Sequence, residues 1–113
     1  MDHQIERKPN LVATQIANGQ TASGPIKVEG MAQGTLFLPA ALTGANFSVY
    51  ASYDGVNFFG PLKQSDGITN VAFPVTANLP ISLPGECFGQ PFIQFVSDQA
   101  EGAARALTVS LAS

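Results

Sequence analysis

Few residues in this chain can do chemistry, and their neighbours limit what they can do. There is one histidine, His3, and one cysteine, Cys87. Nucleophilic catalysis needs a base within hydrogen-bond reach of a serine or cysteine. His3 lies in a polar N-terminal stretch with Asp2, Glu6, Arg7 and Lys8, so a triad would have to recruit that stretch. Cys87 stands beside Phe88 and reads as a small packed residue rather than a reactive thiol. With a single cysteine and a single histidine, neither a zinc site nor an intrachain disulfide is expected.

The carboxylates Asp54, Asp66, Asp98 and Glu101 all fall in stretches rich in Gly, Ser, Asn and Gln. The expected role there is turn chemistry, in which an acidic side chain accepts from backbone amides nearby. A calcium loop needs alternating acids, and no stretch has that spacing. An acid pair for glycoside hydrolysis would have to come from separate loops, and nothing in the sequence draws two together. Gly30 to Gly34 is not followed by Lys-Ser/Thr and opens no helix, so it is not a phosphate loop. Tyr50, Tyr53, Phe58 and Phe59 cluster in sequence and suit a core plus a subunit interface. A sugar-stacking platform is the rival, and the absence of Trp weakens it. The expectation is no enzyme and no cofactor.

The elements that must position these residues centre on Ala45 to Pro61. Phe47, Val49, Ala51 and Tyr53 alternate with Ser48, Tyr50 and Ser52, the period of a strand with one buried face. Asp54-Gly55 suits a tight hairpin turn, and Val56, Phe58 and Phe59 suit a returning strand. Before it, Leu11 to Ala17 is a strand, Asn18-Gly19 a hairpin turn, and Gln20 to Glu29 a return bent at Gly24-Pro25. Thr35 to Leu38 is apolar enough for a strand covered on both faces. Ala40 to Gly44 suits one helical turn.

After the hairpin, Ser65-Asp66-Gly67 is a turn and Ile68 to Val75 a strand, its Pro74 at an edge. Asn78 to Gly85, with Pro80 and Pro84, suits a polyproline-like crossing between sheets. Gly85 to Gly89 is a loop. Phe92 to Val96 is a buried strand, and Ser97 to Gly102 a turn cluster. Ala103 to Ala112 is a last strand, with Arg105, Leu107, Val109 and Leu111 on one face and small residues on the other. The fold expected is all-β: an antiparallel β-sandwich of about eight short strands, with a jelly roll as one form of it. Residues 1–10 form an N-terminal arm and residues 11–113 a single domain.

Only 12% of the 113 residues are charged, about half the usual ~25%. Weak repulsion between copies suits an assembly subunit. A net charge of −3, with no basic cluster beyond Arg7-Lys8, argues against nucleic acid as a partner. No apolar run reaches the ~20 residues of a membrane span. The start has no basic and apolar signal regions, so no secretory route and no membrane partner are expected.

Five segments carry a family likeness: Gly34-Thr35-Leu36-Phe37-Leu38-Pro39, Ser52-Tyr53-Asp54-Gly55-Val56-Asn57-Phe58, Leu83-Pro84-Gly85-Glu86-Cys87-Phe88-Gly89, Phe92-Ile93-Gln94-Phe95-Val96-Ser97 and Ala103-Ala104-Arg105. Together they resemble small virion-associated proteins of tailed bacteriophages, over roughly Gly24 to Leu111. The resemblance implies a β-sandwich structural protein, foremost a capsid decoration (cement) protein that forms homotrimers and clamps neighbouring major capsid proteins. A tail or neck structural protein is the alternative. Such a protein folds in the host cytoplasm and ends in the virion. The resemblance supplies no catalytic residues. The arm lies outside it, and Ile5, Glu6, Arg7, Lys8 and Pro9 are candidates to contact the capsid or a neighbour. The Ser52 to Phe58 hairpin is also similar to one in discoidin-like carbohydrate-binding sandwiches.

Overall fold

In the computed structural model, residues 10–113 are described; the contact arm expected over Ile5, Glu6, Arg7, Lys8 and Pro9 lies outside them. Alternation in the sequence becomes alternation in burial. In Asn46–Ser52 the side chains of Phe47 and Val49 are buried, while those of Ser48 and Tyr50 are half-covered. The strands are β1 (Asn10–Ile16), β2 (Ile26–Lys27), β3 (Gln33–Phe37), β4 (Asn46–Ser52), β5 (Ala72–Pro74), β6 (Pro80–Ser82), β7 (Phe92–Ser97) and β8 (Arg105–Ala112).

They form two four-stranded antiparallel sheets, in the orders β1-β8-β3-β6 and β2-β7-β4-β5. The first strand pairs with the last, the second with the second-last, and so on inward to β4 with β5. The chain is thus one long double ribbon, rolled so that β3 also meets β8 and β4 also meets β7. That is a jelly roll.

The core lies between the sheets. Phe47, Phe73 and Phe95 meet there with ring centroids 5.9 to 6.2 Å apart. Ile16, Leu36, Ile93, Leu107, Val109 and Leu111 close around them, each at most 1% exposed. Every such side chain contributes about 1.5–3 kcal/mol of burial.

Several expectations need correction. The returning strand at Val56 to Phe59 does not form; only Phe59 rejoins β4, exchanging backbone bonds of 2.9 and 2.8 Å with Ala51. Asp54 Oδ1 accepts from the amides of Val56 and Asn57, which turns both into the loop instead of toward a ladder. Asp66 does the same to Ile68 and Thr69, so the strand expected from Ile68 shortens to β5. Asn18-Gly19 is a turn, with Gly19 at φ +80°, but the return bridges β1 only at Ile16 and Ser23 and then crosses to the other sheet. Pro80 opens an edge strand, β6, where a polyproline crossing was expected. Residues 85–88 form a 3-10 helix rather than an irregular loop. Ala40 to Gly44 makes no helical turn, because the Thr43 and Gly44 amides point instead at Glu101.

Candidate functional site

The carboxylates are occupied by the fold. Asp54 accepts from the Asn57 and Val56 amides, from Asn57 Nδ2 and from the Ser52 hydroxyl, and these bonds hold it well below the usual carboxylate range. Asp66 is lowered to about 2, first by the Thr69 hydroxyl and then by the Ile68 and Thr69 amides. Asp98 Oδ1 accepts from the Ala45 amide. Burial pushes the Cys87 thiol up to about 12, which leaves it a packed thiol at neutral pH.

Glu101 departs from the expected local turn role. It is 1% exposed, and its partners come from remote segments. The Thr43 and Gly44 amides each donate to it at 2.8 Å, from 58 and 57 residues away. The Ser97 hydroxyl donates at 3.0 Å and Arg105 Nε at 2.9 Å. Burial alone would raise its carboxyl, but the two amides, Arg105 and Ser97 outweigh burial and hold it below the ordinary value. Its backbone also joins the first turn, bonding Gly19 and Gln20. The group is a knot tying the β1–β2, β3–β4 and β7–β8 connections, with no acceptor left for a substrate. Among the described residues, no three His, Cys, Asp or Glu side chains converge as a metal group would require.

The four aromatic candidates separate. Tyr53 and Phe59 stack at 5.9 Å and 18°, and they are 70% and 58% exposed. Phe58 is half-buried. Tyr50 lies beneath the backbone at Gly60, where a Cβ would come within 2.5 Å of its ring. In the loop between the two rings, Asp54 is spent on the Val56 and Asn57 amides and on Asn57 Nδ2.

The small-residue face read on the last strand is part of a larger surface that the sequence did not show. The outer face of sheet β1-β8-β3-β6 carries no charged residue. One row across its four strands is Ala13, Thr108, Phe37 and Pro80; the next is Leu11, Ser110, Thr35 and Ser82. Leu11 and Phe37 are 61% and 46% exposed on it. Thr35 to Leu38 read as covered on both faces, yet within one chain only the Leu36 and Leu38 side is covered. The charges of the described residues lie elsewhere. Lys27 and Glu29 sit at the β2 edge, Asp54, Lys63 and Asp66 in loops of the other sheet, and Glu86 in the 3-10 helix. Asp98, Glu101 and Arg105 gather at one end. A shallow apolar depression of about 210 Å³, lined by Leu38, Pro74, Thr76, Leu79, Pro80 and Ile81, opens between the β5 and β6 edges.

No family model and no curated protein matches this chain. Among solved structures, the chain is similar to the SPBc2 prophage-derived protein YomS, with a TM-score of 0.57 and 11% identity. The likeness covers 97% of this chain and 100% of that one, so the two share their overall fold.

Proposed function

We propose that this chain is a bacteriophage virion structural protein, a capsid decoration protein that associates with its own copies and clamps neighbouring major capsid proteins. The observation that carries the reading is the charge-free outer face of sheet β1-β8-β3-β6. Leu11 and Phe37 stand exposed on it among small and hydroxyl residues, so covering the face removes apolar surface from water without stranding a charge. A flat face of Ala, Ser, Thr and Gln admits another surface closely without burying an unpaired charge. Sharing a fold with a prophage-derived protein supports the phage setting. Binding only to the assembled shell would stabilise that shell by mass action. In this reading the protein catalyses nothing and reaches the virion after folding in the host cytoplasm. The sequence resemblance implies a homotrimer, and the mass of the isolated chain in solution decides between that form and a two-fold pair.

The test is co-sedimentation of the purified chain with expanded capsids and with free capsid protein. Occupancy on capsids alone is expected. Thr108→Lys, which places a charge at the centre of the face, is expected to abolish occupancy while the melting temperature stays within about 2 °C. Unchanged occupancy in that variant would remove the face from the mechanism.

A further inference from the structure

We infer that β1 is a homotypic docking edge, pairing antiparallel with β1 of a second copy about a two-fold axis. The sandwich has four sheet edges, and three are guarded in the ways proteins block edge-to-edge pairing. β6 is three residues long and opens on Pro80. β2 is two residues long and carries Lys27. β5 is three residues long and closes on Pro74. β1 runs for seven residues, Asn-Leu-Val-Ala-Thr-Gln-Ile, with neither a proline nor a charge.

The hydrogen-bonding direction of β1 fixes which groups are open. Gln15 accepts from the Gly24 amide at 3.2 Å, so its backbone groups turn away from β8. Backbone groups alternate along an antiparallel ladder, so those of Leu11 and Ala13 also turn away from β8. The segment around Ser23 and Gly24 covers the far end of β1 through the Ile16–Ser23 bridge. It leaves Leu11 and Ala13 open, and among the described residues no loop backbone bonds to them on that side.

A second copy satisfies both. With the axis at Val12, Leu11 of one copy faces Ala13 of the other in a hydrogen-bonded pair, and the symmetric pair repeats it. No like charges meet, since β1 has none. The neutral outer face then continues across the axis into the second copy.

The inference is independent of the capsid reading and is tested on the isolated full chain. Light scattering over a concentration series is expected to reach twice the 11.8 kDa chain mass. Ala13→Pro removes an outward N–H that the β1–β8 ladder does not use, so it is expected to keep the fold by circular dichroism and to return the mass to one chain. If that variant does not fold, Ala13→Lys takes its place. In the second arm, Leu11→Cys and Ala13→Cys are combined in one chain. Their Cα atoms would face each other across the axis at about 5.5 Å, within disulfide range. The double variant is expected to cross-link into dimers on oxidation, while each single variant stays uncross-linked; Cys87 is buried and stays out of the reaction. A single-chain mass at every concentration, a trimer indifferent to Ala13→Pro, or no cross-linking in the double variant would overturn the inference.

Discussion

Replacing Glu101 by Ala is expected to be among the costliest single changes at a polar position. The carboxylate holds four donors: two backbone amides at 2.8 Å, a hydroxyl at 3.0 Å and a guanidinium nitrogen at 2.9 Å. Gly44 and Ser97 are buried, so their donors have no water to turn to. Each orphaned buried donor costs about 1–3 kcal/mol. Thr43 is exposed and Arg105 partly so, and both recover most of their loss from solvent. The two buried donors together come to about 2–6 kcal/mol, and the middle of that span, about 3–5 kcal/mol, is the range found when one partner of a buried ion pair is removed. For a domain of this size that is a drop of about 12–20 °C in melting temperature at pH 7, read by circular dichroism. Arg105→Met leaves the amides with their acceptor and is expected to cost about 1.5–3 kcal/mol. A loss under about 4 °C for Glu101→Ala would refute the claim that this residue ties the loops together.

The same carboxylate sets a pH dependence. Its folded pKa lies below the ordinary value of 4.5, so between the two values the unfolded chain binds more protons than the folded one. Stability therefore rises with pH through that window and is lost as pH falls through the folded pKa. Asp54 and Asp66 are lowered too and add slope of the same sign, but both survive in Glu101→Gln. The difference between wild type and Glu101→Gln isolates one residue. The two melting curves are expected to converge as pH falls from the ordinary carboxyl value of 4.5 through the lower folded one. Parallel curves would mean that Glu101 does not titrate as the geometry requires.

Other changes probe separate parts. Gly60→Ala drives a Cβ to within 2.5 Å of the Tyr50 ring, and overpacking there is expected to cost about 1–3 kcal/mol by thermal melting. Phe95→Ala empties the centre of the aromatic trio and is expected to cost about 3–5 kcal/mol in urea unfolding. Deleting Met1 to Pro9 is expected to lower capsid occupancy without changing the melting temperature, and unchanged occupancy would remove the arm from the contact. A glycan array is expected to be blank, because Asp54, the carboxylate beside Tyr53, is spent on its own loop.

What was legible in the sequence follows the range of the interactions. Period-two alternation is set by the pleat, so Phe47 and Val49 in β4 and Leu107, Val109 and Leu111 in β8 could be read on their buried faces, but the alternation expected to run on to Tyr53 breaks, with Ser52 buried and Tyr53 exposed. Short-range turn chemistry was legible as turns, but its effect on neighbouring strands was not. An Asp that accepts two amides ahead of it takes those amides away from any ladder, and this shortened the strands expected at Val56 and Ile68. Glu101 looked like Asp54 and Asp66, since all three stand in Gly-rich turns. Its amide partners lie 57 and 58 residues back, a distance at which no spacing rule operates. The aromatic cluster was read as core plus interface without a division between the two, because sequence proximity cannot show that Gly60 lies across Tyr50 while Tyr53 and Phe59 are exposed.

The low charge content was visible from composition, but its distribution was not, and the distribution carries the functional argument. The two outer faces of this sandwich are treated differently. On sheet β2-β7-β4-β5, the loop after β4 folds back, covering Tyr50 at Gly60 and reaching the Phe92 ring at Gly55. That face is sheltered by the chain itself and carries Lys27 at its rim. Among the described residues, no loop shelters the opposite face in this way, since Ala13, Thr108 and Phe37 are exposed on it, and its strands carry no charge there to hold water. A monomer selected only to stay dissolved would place its few charges over both faces. Concentrating them away from one sheet, and leaving the long edge of that same sheet without a proline or a lysine, are two independent departures from such a design. Both fall on β1-β8-β3-β6, and a surface built to be covered accounts for the two together.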